Sequence, residues 1–161
     1  MTFRDFKEKA MALETQYLKD LENVEGADRI LQIQRDYWDI VEKHTSKRLS
    51  EVDNFDDFIK EGDHNTRIFK VEYAADLPTN KFGSGFPNLK QDRQYGGHPW
   101  NFLNLNDAKD SLLSFWKGKD ISGINIPWLY IGMLDSSFCW HYEDLMMYSI
   151  NYMHEGEGKM W

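Results

Sequence analysis

Cysteine is almost absent: Cys139 is the single one in 161 residues, so no internal disulfide can form and no Cys-x-x-Cys pair offers a zinc site. A reducing, intracellular setting is expected. Basic residues are scarce too. Nineteen Lys and Arg against 27 Asp and Glu leave a formal charge of -8, which argues against direct binding to nucleic-acid phosphates and suits basic partners better. Long apolar runs are missing: no stretch approaches the length of a membrane helix, and the opening "MTFRDFKEKAMAL" lacks the apolar region of a targeting signal. A soluble chain with no membrane partner is expected. No internal repeat or low-complexity segment occurs either. What remains is a composition of 41% hydrophobic and 15% aromatic residues, at a length that suits one domain with a real core, or part of one.

Phe3, Phe6, Ala10, Leu13, Tyr17 and Leu21 recur at spacings of three and four, the stripe of an amphipathic helix, with Thr2 as its cap and Asp5 three residues on. A second helix is expected after Gly26, where Ile30, Ile33, Tyr37 and Val41 repeat the pattern and Lys43 and His44 stand near the negative end of the dipole. Both stripes read as core packing. "EVDNFDDFIKEGDHN" is acidic and reads as loop or short helix. From Thr66 the period changes to two, and "RIFKVEYAA" reads as a half-buried strand. The next segment, "LPTNKFGSGFPNLKQDRQYGGHPWN", holds three of the chain's four prolines and several glycines, and reads as a long loop. "NLNDAKDSLLSFWKG" suits a short helix, and three strands are expected after Gly123: "INIPWLYIGM", "SSFCWHYED" and "LMMYSINYMH".

Residues two apart in a strand share a face. Cys139, His141 and Glu143 would then line one side of their strand, and Ser149 and Asn151 one side of the next. Buried polar groups of this kind must be paired or bind something, because an unsatisfied one costs roughly 1 to 3 kcal/mol. An imidazole and a carboxylate at i and i+2 supply two of the three ligands of the two-His-one-carboxylate site of non-heme iron oxygenases. By spacing alone, the same pair also fits an ion pair at a strand edge. Cys139 reads as an inert buried thiol, His154 as packing or as support behind the site, and His44, His64 and His98 as structural or exposed.

The run "PWLYIGMLDSSFCWHYEDLMMYSINYMHEGEGKMW" resembles the metal-binding strands of the JmjC histone lysine demethylases. Upstream, "RDYWDIVE", "VEYAADL", "FGSGFP" and "PWNFLNLND" resemble the JARID branch, whose members act on lysine 4 of histone H3. The resemblance implies a mainly β fold: a jelly-roll cupin core, incomplete at its C-terminal side and preceded by helices. It divides the chain into a helical segment, 1–65, and the N-terminal half of a JmjC domain, 66–161. It implies Fe(II) bound by His141 and Glu143, and 2-oxoglutarate lined by Tyr73, Phe138, Ser149, Asn151, Lys159 and Trp161, with Lys159 and Tyr73 on the distal carboxylate. Tyr130 falls beside the methylated lysine. The implied activity is oxidative demethylation of histone lysine in the nucleus, with the histone H3 tail and chromatin complexes as partners and no direct nucleic-acid binding by this segment. A protein hydroxylase and a non-catalytic chromatin-binding module are the alternatives. Glu143 favours demethylation, because JmjC hydroxylases mostly carry aspartate there. Glu155 and Gly158 depart from the family pattern, in which an aromatic and a proline stand. The family's third iron ligand, a histidine on a later strand, has no counterpart among the 161 residues, so the chain alone is expected to be nearly inactive.

Overall fold

In a computed structural model the described residues are 1–19, 21–45, 70–116 and 118–161, with the side chains of 43–45 left aside. Helix α1 spans Phe3–Lys19 and helix α2 spans Gly26–Thr45. The expected cap is present in reciprocal form. The Thr2 backbone N–H donates to Asp5 Oδ2 at 2.7 Å, and the Asp5 N–H donates to Thr2 Oγ1 at 3.2 Å. Two of the orphan donors of the first turn are thereby satisfied. These hydrogen bonds hold the Asp5 carboxyl below its usual range.

The α1 stripe buries Phe6, Tyr17 and Leu21, while Phe3 stays exposed. Tyr17 reaches α2, where its hydroxyl donates to Asp36 Oδ2 at 2.6 Å, and Gln32 Nε2 donates to the other oxygen at 2.7 Å. On α2, Ile33, Tyr37 and Val41 are half-buried and Ile30 is exposed. Lys9 of α1 pairs with Glu72 at 2.8 Å, which ties the helix to the chain leading into the sheet.

Strand β1, Ala74–Pro78, pairs antiparallel with β2, Trp128–Ile131. Ala74 faces Ile131 and Leu77 faces Leu129, so Ala75 and Asp76 together stand against Tyr130. Two residues opposing one is a β-bulge, and Asp76 takes the left-handed backbone that such a bulge demands, with φ of 56°. The strand therefore begins later than the alternation from Thr66 suggested: Lys70–Tyr73 precede it, and 66–69 lie outside the described residues, as does the acidic 51–65 segment.

Between the strands the chain is built from short turns held by side-chain amides. Helix α3, Thr79–Phe82, and helix α4, Arg93–Gly96, are one turn each. In place of one short helix in "NLNDAKDSLLSFWKG" there are two 3₁₀ turns, Phe102–Asp107 and Leu112–Trp116. Buried Asn101 accepts from the Leu103 N–H at 3.0 Å and donates to the carbonyls of Pro87 and Tyr95 at 2.9 and 3.1 Å. Asn104 donates to Gly96 and His98, and Asn125 ties Lys119 to Ile121. Gly96 is needed for closeness: a Cβ there would lie 2.5 Å from the Asn88 carbonyl oxygen.

A mainly β fold is not seen among the described residues. The two long helices hold 17 and 20 residues and the two strands 5 and 4. Of "INIPWLYIGM" only Trp128–Ile131 is strand, with one isolated bridge between Ser122 and Ile126. "SSFCWHYED" and "LMMYSINYMH" join no sheet among the described residues, although Glu143 and Met147 keep extended backbone. Alternating side chains do not make a strand. A ladder needs a neighbour to take up its N–H and C=O groups.

Candidate functional site

The segment after β2 turns back through Met133–Ser136, where the Met133 N–H donates to Ser136 Oγ at 2.7 Å and the Ser136 N–H to the Met133 carbonyl at 3.0 Å. Just before that turn the chain passes the ring of Tyr73: a Cβ placed on Gly132 would lie 3.7 Å from that ring. This turn brings the HxE segment beside the β1–β2 pair. It also carries Asp135, half-buried, whose carboxyl is pushed up to about 6 by burial first and by the charge of Asp36 second.

His141 Nε2 lies 3.7 Å from Glu143 Oε1, and both side chains reach solvent. The other ring nitrogen, Nδ1, is 2.8 Å from the Cys139 carbonyl oxygen. A carbonyl can only accept, so this bond requires the proton on Nδ1 and leaves Nε2 free to accept or to bind a metal. That is the tautomer a metal ligand needs. Among the described residues no group of three His, Cys, Asp or Glu gathers as a metal site, so the pair supplies two ligands.

Around the pair stands an aromatic shelf. Phe138 lies edge-on to His141 at 6.2 Å and to Trp161 at 5.2 Å between ring centroids, and Trp161 also meets Trp140 at 5.3 Å. The Lys159 ammonium sits over Phe138 at 4.4 Å and 6.0 Å from the Tyr73 ring centroid. Tyr73 in turn lies 5.9 Å from Tyr130. The sequence positions Tyr73, Tyr130, Phe138, His141, Glu143, Lys159 and Trp161 thus converge.

Two details show what this cluster can hold. The Tyr73 hydroxyl is buried and has no hydrogen-bond partner among the described residues, an arrangement that costs free energy unless something pairs with it. Lys159, whose ammonium lies 6.0 Å from the Tyr73 ring centroid, pairs with no carboxylate among the described residues. A phenol and an ammonium of this kind suit a small carboxylate ligand, and the HxE pair suits a divalent metal. Burial and the nearby Asp76 carboxylate raise the Tyr73 hydroxyl above its usual range, so it stays a donor at neutral pH.

Other expected residues fall outside the cluster's contacts. Ser149 and Asn151 are exposed, and neither makes a side-chain hydrogen bond among the described residues. Cys139, read as buried, is exposed: its segment has no neighbouring strand to cover it. His154 packs, as read, against Phe86 and Tyr152 at 6.0 and 5.9 Å. Asp76 was missed. It accepts a hydrogen bond from the Tyr130 hydroxyl at 2.7 Å, and the available signal was an aspartate inside a strand, where that residue type is depleted.

Comparisons with known proteins bear on the family of the segment that carries the HxE pair. Residues 128–161 match the family described as "JmjC domain, hydroxylase". The chain is 38% identical over 166 aligned residues to lysine-specific demethylase JMJ703 of Oryza sativa subsp. japonica, an alignment that takes in 99% of this chain and 12% of the relative. It is 45% identical over 102 residues to lysine-specific demethylase JMJ17 of Arabidopsis thaliana, covering 57% of this chain and 8% of the relative. It is 48% identical over 98 residues to lysine-specific demethylase 5D of Homo sapiens, covering 56% and 6%. The chain spans about an eighth or less of the length of these relatives. No solved structure matches it significantly. Residues 128–161 thus match the JmjC domain family, whose fold is cupin-like, and along its length the chain is similar to the lysine-specific demethylases.

Proposed function

We propose that this chain supplies part of an Fe(II)- and 2-oxoglutarate-dependent site for demethylation of histone lysine, with lysine 4 of histone H3 as the target and the nucleus as its place of action. The observation that carries the reading is the convergence of the HxE pair with the unpaired Lys159 ammonium and the orphaned Tyr73 hydroxyl. In this reading 66–161 belong to the JmjC domain and 1–65 form a helical segment before it. Chromatin complexes and the H3 tail are its partners, and the acidic balance of the chain suits a basic tail.

Each residue then has a task. His141 Nε2 and Glu143 hold the metal, and the Nδ1 bond to the Cys139 carbonyl keeps the imidazole turned for it. Lys159 and Tyr73 hold the distal carboxylate of the cosubstrate, while Phe138 and Trp161 wall its carbon chain from water, with Ser149 and Asn151 as further lining. Tyr130 receives the methylated ammonium against its ring and oxygen. When bound, iron and 2-oxoglutarate would activate O2, the oxidant that converts the N-methyl carbon to the level of formaldehyde.

The test is formaldehyde release from H3 peptides trimethylated at lysine 4 or at another lysine, with the intact protein, Fe(II) and 2-oxoglutarate. Glu143→Ala is expected to abolish release, and Lys159→Ala to raise the 2-oxoglutarate requirement at least tenfold, on the scale of a lost charge-assisted pair. Release that persists in Glu143→Ala would sink the proposal. Hydroxylation of a peptide without demethylation would favour the hydroxylase reading instead.

A further inference from the structure

Asp76 occupies an unusual place. An aspartate is a poor strand residue, and this one also sits at φ of 56°, a backbone conformation that few residues other than glycine, asparagine and aspartate adopt readily. The bulge that requires this conformation falls opposite Tyr130, and its effect is to aim the Asp76 carboxylate at that ring: the Tyr130 hydroxyl donates to Oδ1 at 2.7 Å. Tyr130 is further bracketed by Tyr73 at 5.9 Å and by Trp128 at 6.3 Å between centroids. Three aromatic rings and one carboxylate, partly open to solvent, form a setting that attracts an organic cation by ring faces and by charge together.

We infer that Asp76 is a positioning and selectivity residue for the methylammonium group that Tyr130 receives, setting the direction of the Tyr130 hydroxyl and adding the negative charge that distinguishes a cation from a neutral group of the same shape. The inference rests on the reading of Tyr130 given under Proposed function. Its physical basis is simple. A phenol whose hydrogen is given to Asp76 turns its lone pairs away from that bond, toward whatever lies on its other side. The rings accept either a trimethylammonium or a tert-butyl group, because both are apolar at their surface, but the carboxylate favours only the first. The raised range of the Tyr130 hydroxyl, caused first by burial and then by the Asp76 bond, agrees with a phenol kept protonated as the donor.

The experiment compares binding of two probes to the intact protein by calorimetry: an H3 peptide trimethylated at lysine 4, and the same peptide with carbon in place of the charged nitrogen. Asp76→Asn keeps an oxygen acceptor and tolerates the left-handed backbone, so the fold is preserved. It is expected to weaken the charged peptide about five- to tenfold, the scale of a partly screened cation site, and to leave the neutral one within about twofold. Asp76→Gly relaxes the backbone but removes the acceptor, and is expected to weaken both. If Asp76→Asn leaves the ratio of the two affinities unchanged, the role of Asp76 is wrong and the reading of Tyr130 is untouched. If the unaltered protein binds neither peptide, the methyl-lysine reading of Tyr130 is wrong and this inference falls with it.

Discussion

Two regions of this chain solve the problem of irregular backbone in opposite ways. Between β1 and β2, from Thr79 to Pro127, glycine and asparagine are the commonest residues, and the backbone is held from within by buried amides such as Asn101 and Asn125. From Ser137 to Trp161 no comparable scaffold exists. The side chains of Trp140, Tyr142 and Tyr148 are largely exposed, and order comes from ring contacts around Phe138 and Trp161 and from the packing of Tyr152 and His154 on Phe86. The region with the strongest local structure carries little of the proposed chemistry. The region with the weakest carries the HxE pair and Lys159, so the site depends on what packs against it.

That contrast can be broken most forcefully at Gly96. Gly96→Ala pushes a methyl into the Asn88–Leu89 backbone and is expected to destabilise the fold by about 3 kcal/mol, read from chemical denaturation. Next comes Asn101→Ala, which leaves the Pro87 carbonyl and the Leu103 N–H without their side-chain partner and the Tyr95 carbonyl with its backbone donors alone. A loss of about 2 kcal/mol is expected, and an unchanged midpoint would mean that the amide scaffold is dispensable.

A smaller effect is expected at Asp135, on the turn that joins the two regions. Its folded carboxyl titrates near 6 against an ordinary value of 3.8, so the folded state holds its proton more tightly than the unfolded chain does. The contribution of this group to stability is therefore greatest below about pH 4 and is lost as pH rises through about 6. Asp135→Asn removes that loss and should stabilise the protein at pH 7.5 by about 1 kcal/mol, after allowance for its partial exposure to solvent. The gain should vanish at pH 4. In the C-terminal region, by contrast, Trp140→Ala should change stability by less than about 0.5 kcal/mol, because that side chain is 83% exposed. A larger loss there would show that the exposed aromatics hold structure after all.

Legibility from sequence followed the range of the interactions. Thr2 and Asp5 stand three residues apart, and their reciprocal cap was readable because both partners lie in one turn. The second helix after Gly26 was readable from its stripe for the same reason. The Asn101 bonds reach back 6 and 14 residues, and nothing in the local pattern of "PWNFLNLND" announces them. Exposure of Cys139 could not be read either, because alternation along "SSFCWHYED" gives the face of a side chain but not whether anything covers that face. In the same way the jelly-roll expectation came from resemblance, and the chain shows one bulged pair of strands.

By itself the sequence determined the chemistry: an imidazole, a carboxylate, a lysine and several tyrosines in the order and spacing of a JmjC segment, because residue identity fixes which groups can bind metal, anion or cation. Only the tertiary structure decided which of them meet. It brings Tyr73 and Tyr130, 57 positions apart, to 5.9 Å, and leaves the Tyr73 hydroxyl buried with no hydrogen-bond partner among the described residues. It places Asp76 against Tyr130 through a one-residue bulge. The reason is physical: periodicity records the faces of separate elements, whereas register, bulges and turns set how those faces are juxtaposed.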